Sequence, residues 1–115
     1  RVSSPGGSPE ASEQIAAAVR AAQKAGKPIL VWVHAPWCPV CRQQAKTIER
    51  VIAEPAYRDM QVFRIDYDTQ KPLWQKFGAT MQSTLIGFRG KRETGRIAHE
   101  TNDAKVSAVI RGALA

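Results

Sequence analysis

Hydrophobic positions along this chain change period several times, and each change marks an element. In EASEQIAAAVRAAQKAG, residues 10–26, alanine is abundant and Ile15, Val19 and Ala22 recur at helical spacing. Ser8 and Pro9 supply an expected N-cap and first turn, and Gly26 an expected stop. PILVWVHA, residues 28–35, is a continuous β-branched and aromatic run bounded by GKP and a proline, the pattern of a strand buried on both faces. From Pro39 to about Ala53 the period turns helical again, with Val40, Gln44, Thr47, Ile48, Val51 and Ile52 on one side. Glu54-Pro55 ends that helix. QVFRIDYD then predicts a second strand, TQKPLWQKFGA a short helix stopping at Gly78, and STLIGF a third strand. RGKRE predicts a turn, TGRIAHE a fourth strand, and NDAKVSAVIRGAL a closing helix capped by Asn102 or Asp103.

The predicted order is α-β-α-β-α-β-β-α. Strands joined through helices should lie parallel, and the last two strands should form an antiparallel hairpin. This is an α/β domain. RVSSPGGS, residues 1–8, has no periodicity and predicts a flexible leader, with the folded domain over residues 9–115.

At 115 residues the chain holds one core, and its 43% hydrophobic and 23% charged content is that of a folded globular protein. No apolar run approaches the roughly 18 residues of a transmembrane helix. The net charge of +7 raises the question of nucleic acid, but Lys24, Lys27, Arg42, Arg50, Arg58, Lys71 and Lys76 are scattered rather than interleaved with aromatics. No nucleic-acid partner is expected, and acidic partners or membrane surfaces suit the charge better. The chain opens on arginine, not methionine, which implies earlier trimming and makes any removed signal peptide or anchor invisible.

The chemistry is concentrated in HAPWCPVC, residues 34–41, which holds both cysteines. Cys38 falls where a strand ends and a helix begins, so backbone N–H groups and the helix dipole favour its thiolate. Cys41 follows one turn later, within disulfide reach. Pro36 and Trp37 form an apolar shoulder for a substrate peptide. Two inert buried thiols would be the bland alternative, and a zinc site would need ligands that this chain does not pair with the cysteines. A Cys-x-x-Cys inside a βαβ pattern signals a redox pair.

WCPVC, the preceding ILVWVHA, VFRIDYD, FGA and STLIGFRG together resemble the thioredoxin superfamily from about Lys27 to Gly112. The helix break at AEPAY further resembles its periplasmic bacterial thiol–disulfide reductases. The resemblance implies a thioredoxin fold: a central four-stranded mixed sheet flanked by helices, here with an extra N-terminal helix. It implies a thiol–disulfide oxidoreductase, with Cys38 the attacking thiol and Cys41 the resolving one. Protein disulfides would be its substrates and an upstream thiol electron donor, such as a membrane reductase, its partner. An exported or periplasmic location, with the cytoplasm as the alternative, a monomeric state and no bound cofactor or metal are expected on the same grounds.

Three positions depart from the family pattern. Trp32 stands where relatives carry a buried aspartate six residues before the first cysteine, and Arg64 where a lysine commonly partners it. These two suit a stacked cation–π pair, or simply core and rim positions of the sheet. Ser83 stands where relatives carry a cis-proline, and Gln82 precedes it at the position whose backbone pairs with substrate. A cis bond before a non-proline residue costs about 2.5–4 kcal/mol, so Ser83 is expected in trans, leaving a more open and more polar site. Such a site would hold a mixed disulfide longer, or admit a soft metal ion to both thiols with an outside ligand completing the set. His34 stands where an aromatic residue is usual; it is a packed histidine, a modulator of Cys38 or a third metal ligand. Pro39-Val40, between the cysteines, offers no imidazole to stabilise the Cys38 thiolate, which favours a reductase. The remaining alternatives are a copper, zinc or iron–sulfur handling protein using the same cysteines, and a weakly active binding module using Trp37, Gln82 and the basic surface.

Overall fold

The computed structural model describes residues 2–115. A 3₁₀ turn at Pro9–Ala11 leads into α1 (Ser12–Lys24). Then follow β1 (Pro28–His34), α2 (Pro39–Ile52), a second 3₁₀ turn at Pro55–Tyr57, and β2 (Gln61–Asp66). The chain finishes with α3 (Lys71–Lys76), β3 (Thr84–Arg89), β4 (Arg92–Ala98) and α4 (Asp103–Gly112). The four strands form one sheet in the order β2-β1-β3-β4. β1 runs parallel to β2 and antiparallel to β3, and β3 and β4 form the expected hairpin.

The central position of β1 explains its unbroken hydrophobic run, because both of its faces are covered. Ile29, Val31 and Val33 join Phe63, Ile65, Ile86 and Phe88 under α1 and α3. Leu30 and Trp32 join Val62 and Leu85 under Ile48, Val51 and Ile52 of α2 and Val106, Val109 and Ile110 of α4. At Gly87 of β3 a Cβ would meet the Val109 carbonyl of α4 at 3.0 Å, so glycine there lets the helix lie directly on the strand.

Three sequence expectations are corrected. β4 begins at Arg92 rather than Thr94, because the turn is only Gly90-Lys91, with Gly90 at φ +60°. Ser8 makes no side-chain cap; its carbonyl accepts from Ala11 N–H at 3.1 Å and a short 3₁₀ turn precedes the helix. The leader does not stand clear of the domain. Ser3 N–H donates to Val62 O at 2.6 Å, and the Ser4 hydroxyl accepts from Arg64 N–H at 2.6 Å. The Gln70 amide, fully buried, donates to Gly6 O at 3.3 Å and to Ser8 O at 2.7 Å. Residues 2–8 thus cover the outer edge of β2, an edge whose free backbone groups would otherwise invite another strand. Arg1 lies outside the described residues.

Candidate active site

β1 ends at His34, and Ala35, Pro36 and Trp37 turn the chain into α2. Cys38 is the N-cap, with φ −91° and ψ 119°, and Pro39 occupies the first helical position, where its missing N–H costs nothing. Cys38 N–H donates to Ala35 O at 3.1 Å, and Cys38 O accepts from Arg42 N–H at 3.0 Å. Both thiols are free, Cys38 with 3% of its surface exposed and Cys41 with none.

The rim beside Cys38 is formed by Trp37, 55% exposed, whose indole N–H donates to Asp68 Oδ2 at 2.8 Å. Its ring meets Tyr67 edge-on at 6.4 Å, and Tyr67 stacks on Trp74 at 5.1 Å. Pro36 and Pro39 are exposed on the same rim, and Val40 is half-buried behind it. The opposite wall is the loop before β3. There the Gln82 amide lies 3.9 Å from Cys38 Sγ, and the Ser83 hydroxyl lies 2.8 Å from Cys41 Sγ and 3.9 Å from Cys38 Sγ.

Ser83 corrects the expectation of an opened site. The described residues contain no cis peptide bond, and Ser83 takes a left-handed conformation with φ +64°, uncommon for any residue but glycine. It is fully buried. Its N–H donates to Val33 O at 2.8 Å, and its carbonyl accepts from His99 N–H at 3.0 Å and from the Gln44 amide at 3.1 Å. With its main chain engaged inside the protein, Ser83 presents nothing to a substrate strand. Gln82 is half-exposed, and its backbone groups take no partner among the described residues.

The sequence places Gln44 on the buried face of α2 and predicts no further role for it. It is fully buried and also donates to Glu100 O at 3.1 Å, tying α2 to both the Ser83 loop and the loop before α4. A glutamine at a core position of an amphipathic helix was the available signal, because a buried amide must find partners.

Trp32, His34 and Arg64 pack against one another. Arg64 lies over the Trp32 ring at 5.7 Å, the expected cation–π pair, and His34 meets Trp32 edge-on at 5.2 Å. His34 forms no hydrogen bond to either cysteine; with Pro36, Arg64, Asp66 and the leader it lines a cavity of about 470 Å³. Burial, and then the nearby Arg64 charge, hold its pKa below the ordinary value against the pull of Asp66 and Glu49. Among the described residues no group of three or more His, Cys, Asp or Glu side chains comes together to hold a metal ion.

The two thiols are driven apart electrostatically. Burial pushes Cys38 up, but the Cys41 backbone N–H and thiol, the Ser83 hydroxyl and the Gln82 amide outweigh it, and the net shift is downward. Burial also pushes Cys41 up; there the Ser83 hydroxyl and the Ala35 N–H, 3.4 Å from Sγ, only partly oppose it, and the net shift is upward. A depressed pKa makes the Cys38 thiolate favour the folded state. That contribution is complete above the ordinary thiol pKa and lost as pH falls through the folded value. Iodoacetamide should accordingly label Cys38 in the reduced protein with a midpoint below the roughly 8.5 of a free thiol. Peptide mapping that finds the label on Cys41 instead, or a midpoint at or above that value, would contradict this polarity.

Comparison with known proteins agrees with the geometry. The family model described as Thioredoxin matches residues 11–112. The crystal structure of Trxlp from Edwardsiella tarda EIB202 is 42% identical, covering 82% of this chain and 91% of that one, with a TM-score of 0.77. Thioredoxin from Mycobacterium tuberculosis is 34% identical over 71 residues, which are 62% of this chain and 60% of that protein. Protein disulfide-isomerase erp38 of Neurospora crassa is 38% identical over 72 residues, 61% of this chain. The chain spans about a fifth of that isomerase and 60% of the bacterial thioredoxin. Thioredoxin O2 from Arabidopsis thaliana, at 20% identity and a TM-score of 0.75, shares the fold.

Proposed function

The chain belongs to the thioredoxin family, and from that premise we propose that it is a thiol–disulfide oxidoreductase working as a reductase of protein disulfides. The observation that carries this reading is the placement of the pair, Cys38 at the N-cap of α2 and Cys41 fully buried one turn behind it; the reductase direction is drawn from Pro39-Val40, which sets no imidazole beside Cys38. The Cys38 thiolate attacks a substrate disulfide, one substrate sulfur leaves as a thiolate and takes up a proton, and the other stays joined to Cys38. Cys41 then attacks Cys38 Sγ, the Cys38–Cys41 disulfide forms, and the second substrate thiol departs reduced. Two electrons have passed to the substrate, and an upstream thiol must return them.

Trp37 and the unengaged backbone of Gln82 are the surfaces on which an extended substrate segment lies. We further place the protein outside the cytoplasm, with a membrane reductase as its donor. The likeness of AEPAY to periplasmic reductases supports this location, and recovery of the protein from the cytosolic fraction of its own cells would overturn it. Direction is tested by equilibrating the Cys38–Cys41 couple with glutathione buffers. A potential near or below about −230 mV fits a reductase, whereas roughly −120 to −180 mV would make it an oxidant or isomerase.

A further inference from the structure

We propose that the Ser83 hydroxyl is the hydrogen-bond donor that supports Cys41 as a thiolate during the resolving attack. This rests on the reading that Cys41 resolves a mixed disulfide on Cys38. For that step a fully buried thiol must become an anion, and burial alone opposes the change. Only donors already in place can offset the lost hydration.

Two such donors touch Cys41 Sγ: the Ala35 N–H at 3.4 Å and the Ser83 hydroxyl at 2.8 Å. Trp32 hydrogen-bonds to neither sulfur, and its indole N–H finds no partner among the described residues. The other titratable group that bears on Cys41 is Cys38 itself, whose negative charge opposes a second thiolate. Ser83 therefore holds the polar contact that responds to the charge on Cys41.

The backbone conformation fits this role. A serine at φ +64° is disfavoured, yet the residue is fixed there by Val33, Gln44 and His99. With N–H and carbonyl engaged, the hydroxyl is left with the two sulfurs as its partners. It has one proton, and so it donates to one sulfur at a time. While Cys38 is the free thiolate, the Ser83 O–H turns to Cys38 and Cys41 S–H donates to Ser83 Oγ. Once Cys38 is consumed in the mixed disulfide, its sulfur is a poor acceptor and the O–H turns to Cys41. The Cys41 proton passes to solvent, the Sγ–Sγ bond forms, and the departing substrate thiolate is reprotonated from solvent, so charge and protons balance.

The test uses dithiobis(2-nitrobenzoate), which reports each step by release of a coloured thiolate. Attack by Cys38 releases the first equivalent, and attack by Cys41 on the resulting mixed disulfide releases the second. Ser83→Ala and Ser83→Gly both remove the hydroxyl, and glycine also relieves the left-handed backbone. Both are expected to slow the first equivalent by a few-fold only, because the hydroxyl also lies 3.9 Å from Cys38 Sγ while the Cys41 and Gln82 donors to that sulfur remain. Both should release the second about tenfold more slowly at pH 7, with its pH midpoint raised by about one unit. A second equivalent released at the wild-type rate and midpoint overturns the role of Ser83 and leaves the oxidoreductase reading standing. A wild-type protein that releases only one equivalent overturns both.

A second measurement leaves Ser83 in place. In the Cys38→Ala protein, the Ser83 Cβ resonance in a carbon NMR titration is expected to move with the midpoint of Cys41. A Ser83 resonance that stays still while Cys41 titrates would also overturn the proposal.

Discussion

Replacing Cys38 with serine is expected to reduce turnover of a protein disulfide such as that of insulin to the uncatalysed background. A serine hydroxyl is not ionised near neutral pH, and the hydrogen bonds that lower the Cys38 pKa do so by supporting a sulfur anion. Helix dipole, Gln82 amide and Ser83 hydroxyl would all remain in place with no nucleophile to serve. Cys41 cannot substitute, being fully buried and pushed the other way in pKa. Cys41→Ser should behave differently. Cys38 would still attack, but the covalent adduct would have no resolving thiol, and about one substrate per chain should accumulate as a mixed disulfide that dithiothreitol releases. Turnover that survives Cys38→Ser, or a Cys41→Ser protein that traps nothing, would remove the two-thiol mechanism. The pair of variants is more informative than either alone, because an unfolded protein would lose both attack and trapping, whereas the mechanism predicts loss of one and gain of the other.

How much of this was legible in the sequence depended on whether each feature is local. The unbroken apolar run of β1 announced a central strand, and the structure pairs it on both sides. WCPVC announced a strand-to-helix redox pair because spacing, proline and neighbouring strand all lie within a few residues. The sequence places β4 two residues too late, at 94–100 instead of Arg92–Ala98, since Arg92 and Glu93 are polar, and an edge strand with one open face does not need the apolar pattern that identifies a buried one. Serine, glycine and proline carry no periodicity, so nothing local in the leader predicts that it packs on the domain. Its anchors are Val62, Arg64 and Gln70, about 60 residues away, and no local pattern connects them. Ser83 is recognisable as the unusual residue, and the expected trans bond and polar contact are found, but not the expected opening. Loss of a proline ring suggested an opened site. In the fold the freed N–H is taken up by Val33, the chain turns left-handed, and the side chain closes on the sulfurs. That outcome depends on Gln44 and His99, neither of which lies near Ser83 in sequence.

Trp32 separates what the core contributes from what the site contributes. It is among the largest fully buried side chains, packed between the sheet and α2 and α4. Trp32→Ala should leave a cavity and cost about 3–5 kcal/mol in urea unfolding, a large part of the roughly 5–15 kcal/mol that holds a domain of this kind together. Arg64 over the ring adds little to that figure, because an exposed cation–π contact is worth only about 0.5–1 kcal/mol. Trp32→Phe keeps an aromatic body and removes an indole N–H that has no partner among the described residues. Its cost should stay below about 1.5 kcal/mol, since no satisfied hydrogen bond is lost. If phenylalanine were as damaging as alanine, the indole N–H would have a partner in solution and the packing account would fail. Activity provides the second half of the test. The polar contacts of Cys41 come from Ser83 and Ala35 rather than from position 32, so Trp32→Phe should leave the pH midpoint of the resolving step unchanged. A shift there as large as that expected on removing the Ser83 hydroxyl would assign the support of Cys41 to position 32 instead.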